Sequence, residues 1–260
     1  MFGAGADQHA GMDSALLTAE PPARGRLQYL VVRDSLAEEI ARGTLKPGAR
    51  LPSERSLQVT LGVYRGTVRE ALFQLEAEGL IYRKERSGWY VAPPRVTYDP
   101  SRPEGFTAWV AAQGRVPQTE TLSKERVEAS ELVAPILGVR PGAPTFFVRR
   151  RRHIDGRACL VEHISLNPKL FPGLLERDLD VSLTGVMRRD YGRVVTRAEV
   201  SMYPCALTGA QAEDLRVKSG TPGLCLIRTC FDADGAVLEY DQEFWRHDII
   251  RISLAVAMQA

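Results

Sequence analysis

Between Leu51 and Leu80 the chain carries two short helical patterns on either side of a glycine turn, and this spacing predicts a helix-turn-helix. Ser53 stands where an N-cap belongs, its hydroxyl free to accept a backbone N–H from the first turn. Leu57 and Leu61 are one helical turn apart, and Gly62 follows, able to take the left-handed conformation that ends a helix. From Arg65 onward Val68, Ala71, Leu72 and Leu75 fall at i, i+3, i+4 and i+7, one apolar stripe, and Gly79 stops the pattern. Arg65, Thr67 and Arg69 lie off the stripe, at the N-terminal end of the second helix.

A helix end so decorated can enter a major groove, its guanidinium groups reaching guanine O6 and N7 or phosphate oxygens. Two amphipathic helices with solvated arginines would give the same local pattern, so the flanks decide. Upstream, Tyr29, Val32, Leu36 and Ile40 share one face of a helix predicted over residues 26–41, with Gly43 beyond its end. Downstream, Leu80-Ile81-Tyr82 and Trp89-Tyr90-Val91 are β-prone runs around a basic tip that includes Lys84 and Arg86. Three helices and a hairpin make a winged helix, with the wing tip expected along the DNA backbone or in a minor groove.

These residues resemble the DNA-binding domain of the GntR superfamily of bacterial transcription regulators. The matching segments are Leu45-Lys46-Pro47-Gly48, Leu51-Pro52-Ser53-Glu54-Arg55, Thr67-Val68-Arg69-Glu70-Ala71-Leu72 and Leu75-Glu76-Ala77-Glu78-Gly79-Leu80-Ile81. The resemblance implies that Arg55, Arg65 and Arg69 touch DNA, with Thr67 near a phosphate. The chain departs from the family at Tyr64 and Gly66, where small hydroxyl residues are usual; Tyr64 can offer a hydroxyl contact of its own.

The 260 residues allow one large or two ordinary domains. The first 24 residues are rich in Gly and Ala without a period and are expected to form a disordered tail, followed by the winged helix over 25–92. Residues 26–92 hold 11 Lys/Arg against 8 Asp/Glu, and residues 93–260 hold 22 against 21. So modest an excess puts the burden of DNA affinity on placement and on having two copies. No apolar run approaches the ~20 residues of a membrane span, and a soluble, cytoplasmic protein is expected. Cys159, Cys205, Cys225 and Cys230 form no Cys-x-x-Cys pair and stand at no zinc-finger spacing from a histidine, so they read as small core residues in a reducing compartment. No metal and no cofactor is expected. Four prolines among residues 93–104 predict an extended, semi-rigid interdomain linker.

From residue 105 to about 255 element types alternate, as in an α+β domain with an antiparallel sheet. Helices are predicted over 106–113, 128–137, 182–191 and 208–215, the last with Thr208 as cap. Strands are predicted over 119–123, 145–154, 158–165, 194–203, 224–232 and 237–245. Two similar units repeat, each a helix, a glycine-bearing turn and a hairpin, and a sheet of two such halves leaves a crevice for a small ligand. Within the run Arg149 to Arg152, strand alternation puts Arg150 and Arg152 on one face and Arg149 and Arg151 on the other. Paired guanidiniums could grip a phosphate or phosphonate; a solvated basic edge would read the same way. Asp241 and Glu243 share the strand face of Glu239, and three such carboxylates without an acid, base or metal partner are expected to be structural. No nucleophile elbow or Ser-His-Asp arrangement points to catalysis.

This region resembles the UTRA effector-binding domain of HutC-type GntR regulators, through Arg150, Arg152, Asp155-Gly156, Glu162, Glu239 and the ending Trp245-Arg246-His247-Asp248. The resemblance implies an effector site formed by Arg150, Arg152, Glu162, Ser165, Glu239 and Trp245. The chain departs from sugar-phosphate-sensing relatives at Ile164, Ser165 and Asn167. Gly88-Trp89-Tyr90-Val91-Ala92-Pro93, Tyr98-Asp99-Pro100 and Gln113-Gly114-Arg115-Val116-Pro117-Gln118-Thr119 are similar to regulators of bacterial phosphonate utilisation. That similarity implies a small anionic effector such as 2-aminoethylphosphonate, its phosphonate on Arg150 and Arg152 and its ammonium on Glu239 or Glu162. A sugar phosphate or a carboxylate such as urocanate is the alternative effector, and an enzyme fused to a winged helix the alternative class. The implied device is a homodimeric repressor, dimerising through the UTRA domain and reading a pseudo-palindromic double-stranded DNA operator.

Overall fold

The computed structural model describes residues 28–84, 87–102 and 104–255; the expected tail and Arg86 lie outside them. The chain divides into two compact units at Ala92/Pro93.

The first unit runs α1 (Gln28–Ala41), α2 (Glu54–Leu61), α3 (Arg65–Ala77), β1 (Ile81–Lys84) and β2 (Gly88–Val91). Ser53 Oγ accepts the Ser56 N–H at 3.1 Å, and Gly62 closes α2 at φ 61°. The α3 stripe is wholly buried against Val32 and Leu36 of α1, Leu57 of α2, and Ile81 and Trp89 of the wing. Each such leucine stabilises the unit by roughly 1.5–3 kcal/mol. β1 and β2 pair antiparallel from Ile81↔Val91 to Lys84↔Gly88, and Arg50 forms a bridge to Tyr90 at the wing's base. The winged helix-turn-helix is therefore the fold of this unit.

The second unit opens with β3 (Val96–Tyr98) and α4 (Phe106–Ala111). Then come β4 (Pro117–Glu128), α5 (Val133–Ile136), β5 (Pro144–Ile154), β6 (Arg157–Leu166), a 3-10 turn at Leu174–Glu176 and α6 (Leu183–Tyr191). It continues with β7 (Arg197–Leu207), α7 (Gly209–Asp214), β8 (Thr221–Phe231), β9 (Val237–Arg246) and β10 (Ile250–Ile252). Six strands form one sheet in the order β4-β5-β6-β9-β8-β7, every pair antiparallel. Among the described residues no helix is long and apolar enough to cross a membrane.

The expected repeat is visible in the backbone. β4-α5-β5-β6 and β7-α7-β8-β9 are two halves meeting at the β6–β9 pair. Their turns match bond for bond: Val139 N–H to Ala134 O and Val217 N–H to Ala212 O, both 2.9 Å, then Gly142 N–H to Ala129 O and Gly220 N–H to Leu207 O. Gly138, which ends α5, has φ 65°, and Arg216 takes the same left-handed conformation after α7 at φ 54°.

Several expected elements differ from those formed. The segment over 93–104 is not all open chain: Val96–Tyr98 pairs in parallel with Ile250–Ile252 and contributes Val96 and Tyr98 to a core with Trp109 and Trp245. The helix expected over 128–137 shrinks to Val133–Ile136, because Glu125–Glu128 stay in the ladder opposite Phe147–Pro144 and Ser130 Oγ accepts the Val133 N–H. The strand expected over 194–203 is shifted to Arg197–Leu207 by its pairing with β8. Thr208 holds the N-cap position of α7 without a side-chain bond.

The sheet's two faces are chemically distinct. One buries Val161 with Leu207 and Leu215, turns Arg149 to Asp214, and stacks His163 edge-on between Phe147 and Phe244. The other carries Ile164 and Leu166 against Leu183, Val186 and Met187 of α6, and Leu160 and Trp245 against Phe106 and Trp109 of α4. Between these two apolar patches lies a polar hollow.

Candidate functional site

In the first unit, α3 presents Arg65 and Arg69 to solvent. Arg65 sits 3.5 Å from Glu54 of α2, which fixes one arm of the turn against the other. Arg69 lies 6.0 Å from the Phe73 ring centre. Tyr64, 81% exposed, occupies the N-cap position of α3 without a capping side-chain bond, so the first amides of the helix remain open to an anion such as a backbone phosphate. Thr67 is half-buried beside them, and Arg55 is exposed on α2. Lys84 stands on the wing with its ammonium 4.5 Å above the Tyr90 ring. Arg50, beside Gly88 at the wing's base, adds a guanidinium that the sequence reading passed over.

In the second unit a cavity of about 740 Å³ opens on the sheet face beneath α4 and α6. It is lined by Arg150, Arg152, Glu162, Glu239 and Trp245, five of the six residues expected at an effector site. Ser165 is the correction. It lies an odd number of residues from Glu162, and in a strand that sends it to the opposite face, paired with Phe147 and Tyr240. The serines at the cavity are Ser101 and Ser182, and Ser182 Oγ caps α6 by accepting the Gly185 N–H at 3.2 Å. A serine two residues after Asp180 and before an apolar helix is a legible cap, but its place over the sheet is not.

The two arginines do not stand free. Arg150 Nε donates to Glu162 Oε2 at 2.9 Å and Arg152 Nε to Glu162 Oε1 at 2.8 Å. Arg150 Nη1 also reaches the carbonyls of Leu179 and Val181. Arg152 Nη1 reaches Thr119 Oγ1, and its guanidinium lies 4.7 Å from the Phe106 ring centre. Burial opposes ionisation of Glu162, but the two guanidiniums prevail and hold its carboxyl below the usual range. The trio carries one net positive charge at a fixed spacing.

The neighbouring strand β9 is acidic. Glu239, Asp241 and Glu243 all line the cavity from β9, and Arg228 of β8 stands among them, so these carboxylates belong to the site rather than to the scaffold alone. Glu243 accepts from Arg228 Nε at 3.2 Å and from Trp245 Nε1 at 2.7 Å. Arg228 Nη2 donates to the Tyr98 hydroxyl. Tyr98 in turn stacks on Trp245, ring centres 6.0 Å apart. Burial pushes the Glu239 carboxyl up to about 7, with Arg150 opposing and Glu162 adding. Burial, then the charges of Glu162, Glu243 and Glu239, push Asp241 well above the carboxylate range. All four cysteines are free thiols; Cys230 lines the cavity, and burial raises its titration. Among the described residues no cluster of His, Cys, Asp and Glu could hold a metal ion.

A winged helix-turn-helix with a basic reading end, joined to an α+β unit that encloses a ligand-sized cavity, defines a DNA-binding regulator with its own small-molecule domain. The sequence relationships agree. Residues 112–251 match the UTRA domain and residues 28–91 match the bacterial regulatory proteins of the gntR family; the chain belongs to this family, a GntR transcription regulator with a UTRA domain. It is 29% identical over 219 residues to the uncharacterized HTH-type transcriptional regulator YihL of Escherichia coli, covering 84% of this chain and 93% of that one. It is also 29% identical over 226 residues to the mannosyl-D-glycerate transport/metabolism system repressor MngR of Escherichia coli, covering 87% and 94%. The crystal structure of PhnF from Mycobacterium smegmatis superimposes with a TM-score of 0.63 at 27% identity, covering 88% of this chain and all of that one.

Proposed function

We propose that this protein is a homodimeric repressor whose grip on a pseudo-palindromic operator is released by a small anionic effector held in the cavity of the second unit. Arg55, Tyr64, Arg65, Thr67, Arg69 and the wing with Lys84 and Arg86 carry the DNA contacts. Arg150, Arg152, Glu162, Glu239 and Trp245 carry the effector, with Ser182 in the place expected for Ser165. The observation on which this rests is the Arg150–Glu162–Arg152 trio on the cavity wall. Its net positive charge, preorganised by a shared carboxylate, suits a phosphonate, and the similarity to phosphonate-utilisation regulators makes 2-aminoethylphosphonate the first compound to test.

A second reading draws on the size of the hollow. At about 740 Å³ it has room for more than a two-carbon phosphonate, and its carboxylates can accept hydroxyl protons. A sugar phosphate or a glycosidic acid fits that description, and MngR is named for a system handling one such acid.

Operator binding ties effector and DNA through one equilibrium, so the effector must weaken DNA binding by as much as DNA weakens effector binding, typically 1–3 kcal/mol. The test is a fluorescence-anisotropy titration of DNA from upstream of the protein's own gene, with and without each candidate. A several-fold loss of affinity with 2-aminoethylphosphonate is expected. Arg65→Ala or Arg69→Ala should weaken operator binding; equal affinity in either variant removes that residue from the interface.

A further inference from the structure

We infer that the cavity contains a cation subsite at Asp241, flanked by Glu239, so that the effector carries a primary ammonium group besides its anion. This rests on the reading of the cavity as the effector site. In the first half Arg150 of β5 lies opposite Glu162 of β6 and pairs with it. In the second half the register puts Arg228 of β8 opposite Asp241 of β9 in the corresponding place. There the pairing is broken: Arg228 turns to Glu243 and to the Tyr98 hydroxyl instead. Asp241 is left 3% exposed, on the cavity wall, with Oδ1 unpartnered among the described residues.

Two of the neighbouring buried carboxylates on this face are held by donors. Glu162 is held by two guanidiniums, and Glu243 by Arg228 and the Trp245 indole. Across β6, Asp241 faces Ile164, which offers nothing. A buried carboxylate oxygen without a donor is costly, and the cost is recovered when a charged donor arrives. An ammonium supplies three N–H donors and a positive charge, enough to bond Asp241 and to favour its ionised form beside Glu239. A hydroxyl supplies one proton and no charge. The hollow thus offers guanidiniums along β5 and, along β9, carboxyls that a cation would draw into their ionised form, and it selects a zwitterion over a plain anion.

The experiment is calorimetry on the full chain with matched probes that differ in the amine. The pairs are 2-aminoethylphosphonate with ethylphosphonate and 2-hydroxyethylphosphonate, glucosamine 6-phosphate with glucose 6-phosphate, and β-alanine with propionate. In at least one set the amine-bearing member is expected to bind about 10- to 100-fold more tightly than its partners, the worth of a charge-assisted bond in a buried site. Asp241→Asn should reduce that preference to within about threefold while the amine-free partner keeps its affinity. Glu239→Gln serves as the second variant should Asp241→Asn fold poorly, and the wild-type comparison needs no variant. Equal binding of amine-bearing and amine-free members overturns the subsite and leaves the cavity reading standing. A hydroxyl analogue binding as tightly as the amine overturns the charge requirement. Failure of every probe to bind overturns both readings.

Discussion

Glu162 is the residue on which the second unit's chemistry turns. It is buried, and it neutralises one of two buried arginines while bonding both. Removing one member of such a group strands charge in a low dielectric, which costs about 3–5 kcal/mol, whereas removing charge in pairs costs far less. Glu162→Leu is therefore expected to lower unfolding stability by about 3–5 kcal/mol in urea titrations, and adding Arg150→Met to recover much of it. Glu239 gives a pH signature. Its carboxyl titrates at about 7 in the folded chain against an ordinary 4.5. Between those values the folded form keeps a proton that the unfolded chain has lost, so stability falls as pH rises through the window and the loss is complete above about 7. Glu239→Gln removes the titrating group. Its stability advantage over the parent should grow between pH 5 and pH 7.5 and level off above, reaching at most about 3 kcal/mol; a constant difference across that range would place the carboxyl in an ordinary setting. At this scale strand parity was a reliable guide. It put Arg150 and Arg152 together, grouped Asp241 with Glu239, and separates Ser165 from Glu162. What parity could not reach was the choice Arg228 makes between Asp241 and Glu243, because that depends on a tyrosine 130 residues away.

At the scale of elements, the helices of the first unit were legible because each carries its own signals. Ser53 caps, Gly62 and Gly79 stop, and the α3 stripe points inward without help from distant chain. β3 and the length of β4 were not legible. Three residues among prolines read as linker, and only pairing with residues about 150 positions later makes them a strand. β4 runs to Glu128 because β5 holds it there, beyond the expected strand over 119–123 and into the first residue of the expected helix. The two halves of the sheet also differ at one turn: Gly138 takes the left-handed conformation freely, and Arg216 takes it at a cost of roughly 1–2 kcal/mol. Arg216→Gly should raise the thermal stability by about 0.5–1 kcal/mol after the entropy cost of glycine, and Gly138→Ala should lower it by about 1 kcal/mol. A lower midpoint for Arg216→Gly would mean that its side chain repays the strain.

At the scale of the whole molecule, the question is how an occupied cavity is felt by the DNA reader. β3 begins four residues after the first unit ends, and Tyr98, its last residue, accepts a hydrogen bond from Arg228 on the cavity wall. Tyr98→Phe keeps the stack on Trp245 and removes the acceptor. In the repressor proposed above, this variant should bind effector and yet show a smaller ratio between operator dissociation constants with and without it. An undiminished ratio would place the coupling elsewhere. The pairing of β3 with β10 has a further consequence. β10 buttons down the very segment that leaves the reader, so clipping a dozen residues from the far end would unfasten it. A protease that never approaches the operator or the cavity could then leave a protein that still recognises both and no longer relates one to the other.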